Sequence, residues 1–466
     1  MKKYINLLFL LIIIYSLQAS NIVIQNDETN SDKSNLQSTL PNKQQITIQQ
    51  DKTPLRTGPG ILYPIKKFLN KETILEIKDY NFTDIQDKDN WFLVSDSLNL
   101  EQGFISLYST KKIPIQTDKI YQIAKYLSID NNNFTDTLHL NNEQIALSFT
   151  NLFDVNSEFI DFANSYNIDI NKYIDFKKDT YLGFSRNDNF KNIKIPNIKK
   201  TNYFTEAEIG LGLGIASIIA KEGLYYNKAI QDYINYIGIQ VVEAFSITEV
   251  QFKFFILNQK KLNSYACPGG YIFISKGLLL SCENEAELAF ILAQEIAQVI
   301  IDNKRPQSLK RNDIIVNKIS LDSLLIKNQI SSQDSINTNI DSLKITTNSQ
   351  IQNIKTIRDS LINEILIYKD RVIYKENNYK LTSNISEIDE IAFFATCRTG
   401  YDGTVIPFYL NRLIKHKING ENYYSENSLI KREIKLRKYQ RYNHLPKNLM
   451  KQKNRFDIFK SQIKTD

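Results

Sequence analysis

The stretch 288–301 reads LAFILAQEIAQVII, and its polar side chains are Gln294, Glu295 and Gln298. Gln294 and Gln298 stand four residues apart, so on a helix they share one face, with Glu295 beside them. Imidazoles at those two places would hold a metal ion, and the carboxylate between them would be the general base for a metal-bound water. Glutamine changes that chemistry. Its amide oxygen is neutral and binds zinc weakly, and it suits calcium only where many oxygens converge. The chain has three histidines, His139, His416 and His444, and none lies in this stretch. His416, within NRLIKHKING, reads as a helix-surface histidine.

The elements that must position these side chains follow from pattern. From 263 to 301 the order is strand, helix, turn, helix, and Asn284 with Glu287 three residues on is an N-cap pattern for the last helix. VQFKFFIL (250–257) and GYIFIS (270–275) read as strands, and 227–245 has apolar residues at helical spacing. FTEAEIGLGLGIASIIAKEG (204–223) contains Gly210, Gly212 and Gly214, but Ile215 breaks the dinucleotide fingerprint and no strand precedes it. An amphipathic helix opening near Thr205, with Glu208 three residues on as a capping pattern, explains it better.

These residues resemble the zinc metallopeptidases of the HtpX, BepA and CAAX-prenyl-protease type, metallopeptidase family 48. The signature N-A-F-A-x-P-G-G-x-I-x-V-x-x-G-L is matched by Asn263, Ala266, Pro268, Gly269, Gly270, Ile272, Ile274, Gly277 and Leu278. The downstream helix is matched by Glu387-Ile388-Asp389 and Gly400-Tyr401-Asp402, and a later T-H-P…R motif by SENSLIKR (425–432). The resemblance spans roughly 204–440 and implies a mainly helical, zincin-like domain with a short β-sheet. It makes Glu295 a vestigial general base, and Gln294, Gln298 and Glu387 the metal-ligand positions. Glu426 stands in place of an active-site histidine, and Arg432 is kept. Zinc binding is doubtful with two glutamines there, although Glu387 would complete three ligands if both were restored to histidine. The resemblance also implies that extended substrate lies along the edge of the strand 270–275. That gives Asn263, Gly269, Gly270, Ile272, Ile274 and Arg432 as substrate-binding candidates.

The remaining chain sets the context. Residues 1–19 run lysines, an apolar stretch over 7–17, then small residues, the plan of a secretory signal peptide with a mature start near Ser20 or Asn21. The apolar run is shorter than the roughly 20 residues of a bilayer span, and no later segment is apolar enough. The expectation is an exported protein, periplasmic or extracellular, and not transmembrane once the signal is removed. Residues 20–45, rich in Asn, Gln, Ser and Asp, read as a disordered linker. Residues 46–110 have short alternating runs between Gly, Pro and Asp-Asn turns, hence a small β-barrel. They resemble a bacterial SH3-like domain at Leu55, Arg56, Gly58, Pro59, Trp91 and 103–106, which implies contact with cell wall or packing on a neighbour. Residues 111–203 carry helical patches broken by Asn-rich turns and read as a helical connector.

An insertion over about 303–380 has Ile336, Ile340, Leu343, Ile351, Ile354, Ile357, Leu361, Ile365, Tyr368 and Val372 at mostly three- and four-residue steps. It is an amphipathic helix, either folded back on the domain or protruding toward a partner. The net charge of +7 concentrates in 430–455, which reads as a solvated helical face and, over 446–466, a frayed basic tail. Attraction to an anionic surface fits that charge, whereas no nucleic-acid module accompanies it. Cys267, Cys282 and Cys397 have no zinc-site spacing and read as small buried residues.

The sequence therefore describes an α+β protein. An SH3-like barrel leads a metallopeptidase-like domain (204–445) that is catalytically inactive, needs no cofactor and binds extended polypeptide or an envelope protein. Two readings compete: an active zinc metalloendopeptidase with substituted ligands, and a structural cell-wall module.

Overall fold

The computed structural model describes residues 45–50, 52–78, 91–96, 101–110, 119–130, 140–182, 189–196, 204–245, 247, 250–301, 341–373, 382–415, 426–442, 445–446 and 448–463. The expected signal peptide, almost all of the linker, and 303–340 of the insertion lie outside them. The chain divides into two units, Met1–Pro114 and Ile115–Asp466.

The first unit is an antiparallel sheet of β1 (Gln45–Thr47), β2 (Thr53–Arg56), β3 (Ile65–Leu69), β4 (Ile74–Ile77), β5 (Trp91–Asp96) and β6 (Gln102–Ser106), in the order β1-β4-β5-β6-β2-β3. Ile48, Leu55, Leu69, Leu75, Val94 and Ile105 make its core, and Trp91 is buried. Gly58 is needed where it stands: a Cβ there would lie 2.2 Å from the Tyr63 ring.

The second unit opens with α1 (Lys119–Asp130), α2 (Asn142–Ser148), α3 (Ser157–Ser165) and α4 (Ile170–Tyr181). The polar turns between them are N-caps: Asn141, Asn156 and Asp169 each accept a backbone N–H from the first turn of the following helix. These helices are more than a connector. Ile123, Ile145, Phe149 and Ile160 share one core with Leu211, Ile215, Phe255 and Phe273.

α5 (Glu206–Ala220) has the expected capping box, Glu208 N–H to Thr205 Oγ1 at 3.2 Å and Thr205 N–H to Glu208 Oε2 at 2.9 Å. It is not amphipathic, however, but buried almost all round. Its glycines admit neighbours on faces that a side chain would block. A Cβ on Gly212 would sit 1.8 Å from the Pro268 carbonyl oxygen. α6 (Lys228–Ala244) follows, then β7 (Lys253–Leu257), β8 (Ser264–Ala266), β9 (Tyr271–Ser275), α7 (Lys276–Ser281) and α8 (Glu285–Ile301). β9 pairs in parallel with β7 and antiparallel with β8. It is thus the central strand, not the edge that the sequence suggested.

The rest is α9 (Asp341–Ile373), α10 (Thr382–Arg398), α11 (Ile406–Lys415), α12 (Glu426–Tyr442) and α13 (Lys453–Ser461). On α9, Leu361, Ile365, Tyr368 and Val372 enter the same core as α1, α2, α3 and α5, so this end folds back on the domain. The supposed frayed tail is also docked. Phe456 and Phe459 of α13 are buried, and Lys460 Nζ donates to the Leu280 and Cys282 carbonyls at 2.9 and 2.7 Å.

Candidate functional site around Gln294 and Glu295

α8 is anchored at its start by Asn284, whose Oδ1 accepts the Glu287 N–H at 3.1 Å, and by Arg412 of α11, whose Nη2 donates to Glu287 Oε2 at 2.6 Å. The helix packs on α10 and on β8, and its polar stripe faces those neighbours. Gln294 Nε2 donates to Asp389 Oδ1 at 2.6 Å. Arg432 of α12 holds the same carboxylate from its other side, Nε to Oδ2 at 2.7 Å and Nη2 to Oδ1 at 2.9 Å. Asp389 and Arg432 are both buried, so this is a two-pronged ion pair out of water.

Glu295 is only 4% exposed. Ser264 Oγ on β8 donates to its Oε1 at 2.7 Å, while Oε2 has no partner among the described residues. Gln298 lies one turn further along, half-buried.

Glu387 does not share the face of Asp389. Asp389 points at α8, and Glu387, two residues away on the same helix, lies about 200° around the axis. The residue one turn back on the face of Asp389 is Ile385, which has no donor atom. Glu387 therefore does not stand with Gln294 and Gln298. The side chain of Glu426 lies outside the described residues, as do His139, His416 and His444.

The other candidates are placed differently from expectation. Ile272 and Ile274 are fully buried on the central strand. Gly269 has φ +71° and a Cβ there would meet Ile209 Cα at 2.5 Å; Gly270 has φ +92° and lies against Phe252. Both approach the protein's own chain. Arg432 is occupied by Asp389. Asn263 donates Nδ2 to Tyr265 Oη at 2.8 Å and is half-buried. Sequence reasoning missed Ser264 and Ile385. The first was legible as the strand position beside Asn263, the second as the residue four before Asp389.

A zinc ion does not fit this donor set. The amide nitrogen of Gln294 is directed at Asp389, which leaves one neutral oxygen; Gln298 offers a second, and Ile385 none. Among the described residues no group of three or more His, Cys, Asp or Glu could hold a metal. The thiols add no nucleophile: all three are buried and none is in a disulfide, and burial raises Cys282 and pushes Cys397 up to about 12.

A strand–turn–strand, a helix carrying two glutamines four residues apart around a glutamate, and a buried carboxylate held against the first glutamine make up an α+β arrangement. Residues 228–321 match Peptidase family M48. Over that region the chain is similar to M48 peptidases. It is 33% identical over 73 residues to a putative beta-barrel assembly-enhancing protease of Vibrio cholerae serotype O1, covering 16% of this chain and 15% of that one. It is 32% identical over 80 residues to the beta-barrel assembly-enhancing protease of Yersinia pestis, 17% and 16% of the two chains. The protein of that name in Escherichia coli K12 is 31% identical over 76 residues, 16% of each. The match thus spans about a sixth of the length of these curated relatives.

Proposed function

We propose that this chain is an exported, metallopeptidase-like protein whose site captures extended polypeptide without hydrolysing it. The observation that carries the reading is the Gln294–Asp389 hydrogen bond. An acidic partner of that kind orients an imidazole in a metal site. Here it orients an amide, which keeps the shape of the site and removes its ligand. Glu295 remains beside β8 through Ser264 as a buried acceptor.

Strand order supports β8 as the docking rim, since β8 and β7 are the outer strands of this sheet. Asn263 accepts from Ser275 N–H at 2.8 Å and Cys267 N–H donates to Tyr271 at 2.9 Å, so odd-numbered residues bond to β9. The backbone groups of Ala266 then point to the opposite side, where an added strand would pair. The relatives' names, which speak of β-barrel assembly, suggest strand-forming polypeptides as the partner. The first unit, as an SH3-like module, would supply contact with cell wall. One observation favours a second reading: α9 packs beside β8, so the rim would be covered by the chain's own helix and the domain would be a scaffold.

Incubation with reduced, carboxymethylated casein separates these. Capture predicts binding without cleavage, unchanged by chelator, and weakened about tenfold by Ala266→Pro at unchanged circular dichroism. Chelator-sensitive cleavage would establish the active alternative. Absence of binding leaves the scaffold reading.

A further inference from the structure

A face formed by α11 and α12 has a composition that the site does not use. Leu429, Arg432 and Leu436 of α12 point inward and are buried. The opposite side presents Ile430, Ile434 and Lys438 at four-residue steps, with Lys431 exposed beside them. Ile434 is 49% exposed, and Phe408 of the neighbouring α11 is 59% exposed. The Arg437 guanidinium lies 5.1 Å over the Phe408 ring, which makes one surface of the two helices. Isolated exposed apolar residues are ordinary, but two isoleucines and a phenylalanine set among cations are a pattern.

The charge on this face is one-sided. Among the described side chains of α12, Lys431, Arg432, Lys435, Arg437 and Lys438 oppose Glu433. Arg432 is neutralised inside by Asp389, and Glu433 is paired with Arg437 at 2.6 Å. Lys431 and Lys438, with Lys415 at the end of α11, remain outward.

We infer that this face rests on an anionic lipid bilayer. Branched aliphatic side chains between lysines on one helix enter the headgroup boundary while the ammonium groups reach the phosphates. Nucleic acid would answer the lysines but offers no apolar surface to the isoleucines. An acidic protein would need an apolar groove of its own, whereas a bilayer supplies both components everywhere.

The test is co-sedimentation of the full chain with vesicles of phosphatidylcholine alone or doped with phosphatidylglycerol. Binding should appear only with phosphatidylglycerol and fall as salt rises. Lys431→Glu and Lys438→Glu should each weaken it at least fivefold, from about 1 kcal/mol per lysine near an anionic surface. Ile430→Ser with Ile434→Ser should also weaken it, at unchanged net charge. Lys178→Glu on α4, 66% exposed, alters net charge equally and should matter little. Circular dichroism checks each variant, and the salt dependence of the unaltered chain stands even if one unfolds. Equal binding to neutral vesicles, no binding at all, equal loss from Lys178→Glu, or tighter binding to polyglutamate than to vesicles would each overturn the proposal.

Discussion

Gln294 and Ile385 together decide what can be restored. With Glu387 on another face of α10, the two-histidine reversion lacks a third ligand. Gln294→His with Gln298→His should therefore show no tight site in calorimetric titration with zinc. Adding Ile385→Glu places a carboxylate one turn from Asp389, on its face, and should create a site of near-stoichiometric occupancy. Tight zinc binding by the double variant alone would return Glu387 to the ligand set. The glutamines themselves were readable in the sequence, because their four-residue spacing is a local property. The face on which Glu387 falls was not, since that depends on which α10 residue Asp389 aligns with α8 across 95 residues.

At the scale of elements, β7 supplies an unexpected brace. Lys253 Nζ donates to the Ala163 and Tyr166 carbonyls at the end of α3, the second at 3.1 Å. Burial lowers its pKa from the usual 10.5 to about 8. Between those pH values the unfolded chain keeps a proton that the folded one has released, so stability rises with pH across that window and falls again as pH returns to 8. The difference in urea midpoint between the unaltered chain and Lys253→Met should grow from pH 8 toward pH 10.5; a constant difference would show that Lys253 does not titrate there. Most elements here were legible. The spacing of Leu361, Ile365, Tyr368 and Val372 gave the helix α9, and Thr205 with Glu208 gave the start of α5. The order of the sheet was not, because a run such as YIFIS is equally apolar whether a strand is central or at the rim.

For the second unit as a whole, the decisive tie joins distant parts of the chain. Glu285, fully buried at the start of α8, accepts Arg455 Nε at 2.6 Å and Nη2 at 2.5 Å, the Tyr401 hydroxyl at 2.9 Å and the Tyr233 hydroxyl. Arg455 continues to Asp179 of α4 at 2.8 Å. One guanidinium thus links α4, α8 and α13. Arg455→Ala leaves a buried carboxylate without its cation and should cost about 3–5 kcal/mol in chemical denaturation. A loss below ~1 kcal/mol would mean that water reaches Glu285. The basic segment looked solvated in sequence because its partners lie 170 and 276 residues away, beyond any local pattern.

That separation has a temporal meaning. A chain made from its N-terminus exposes Glu285 long before Arg455 exists, and the 170 intervening residues take roughly 10 to 30 s to translate. Until then burial of the Glu285 carboxylate is penalised, because its cation has not yet been made. The tie between Glu285 and Arg455 can form only after the segment bearing Arg455 has been made.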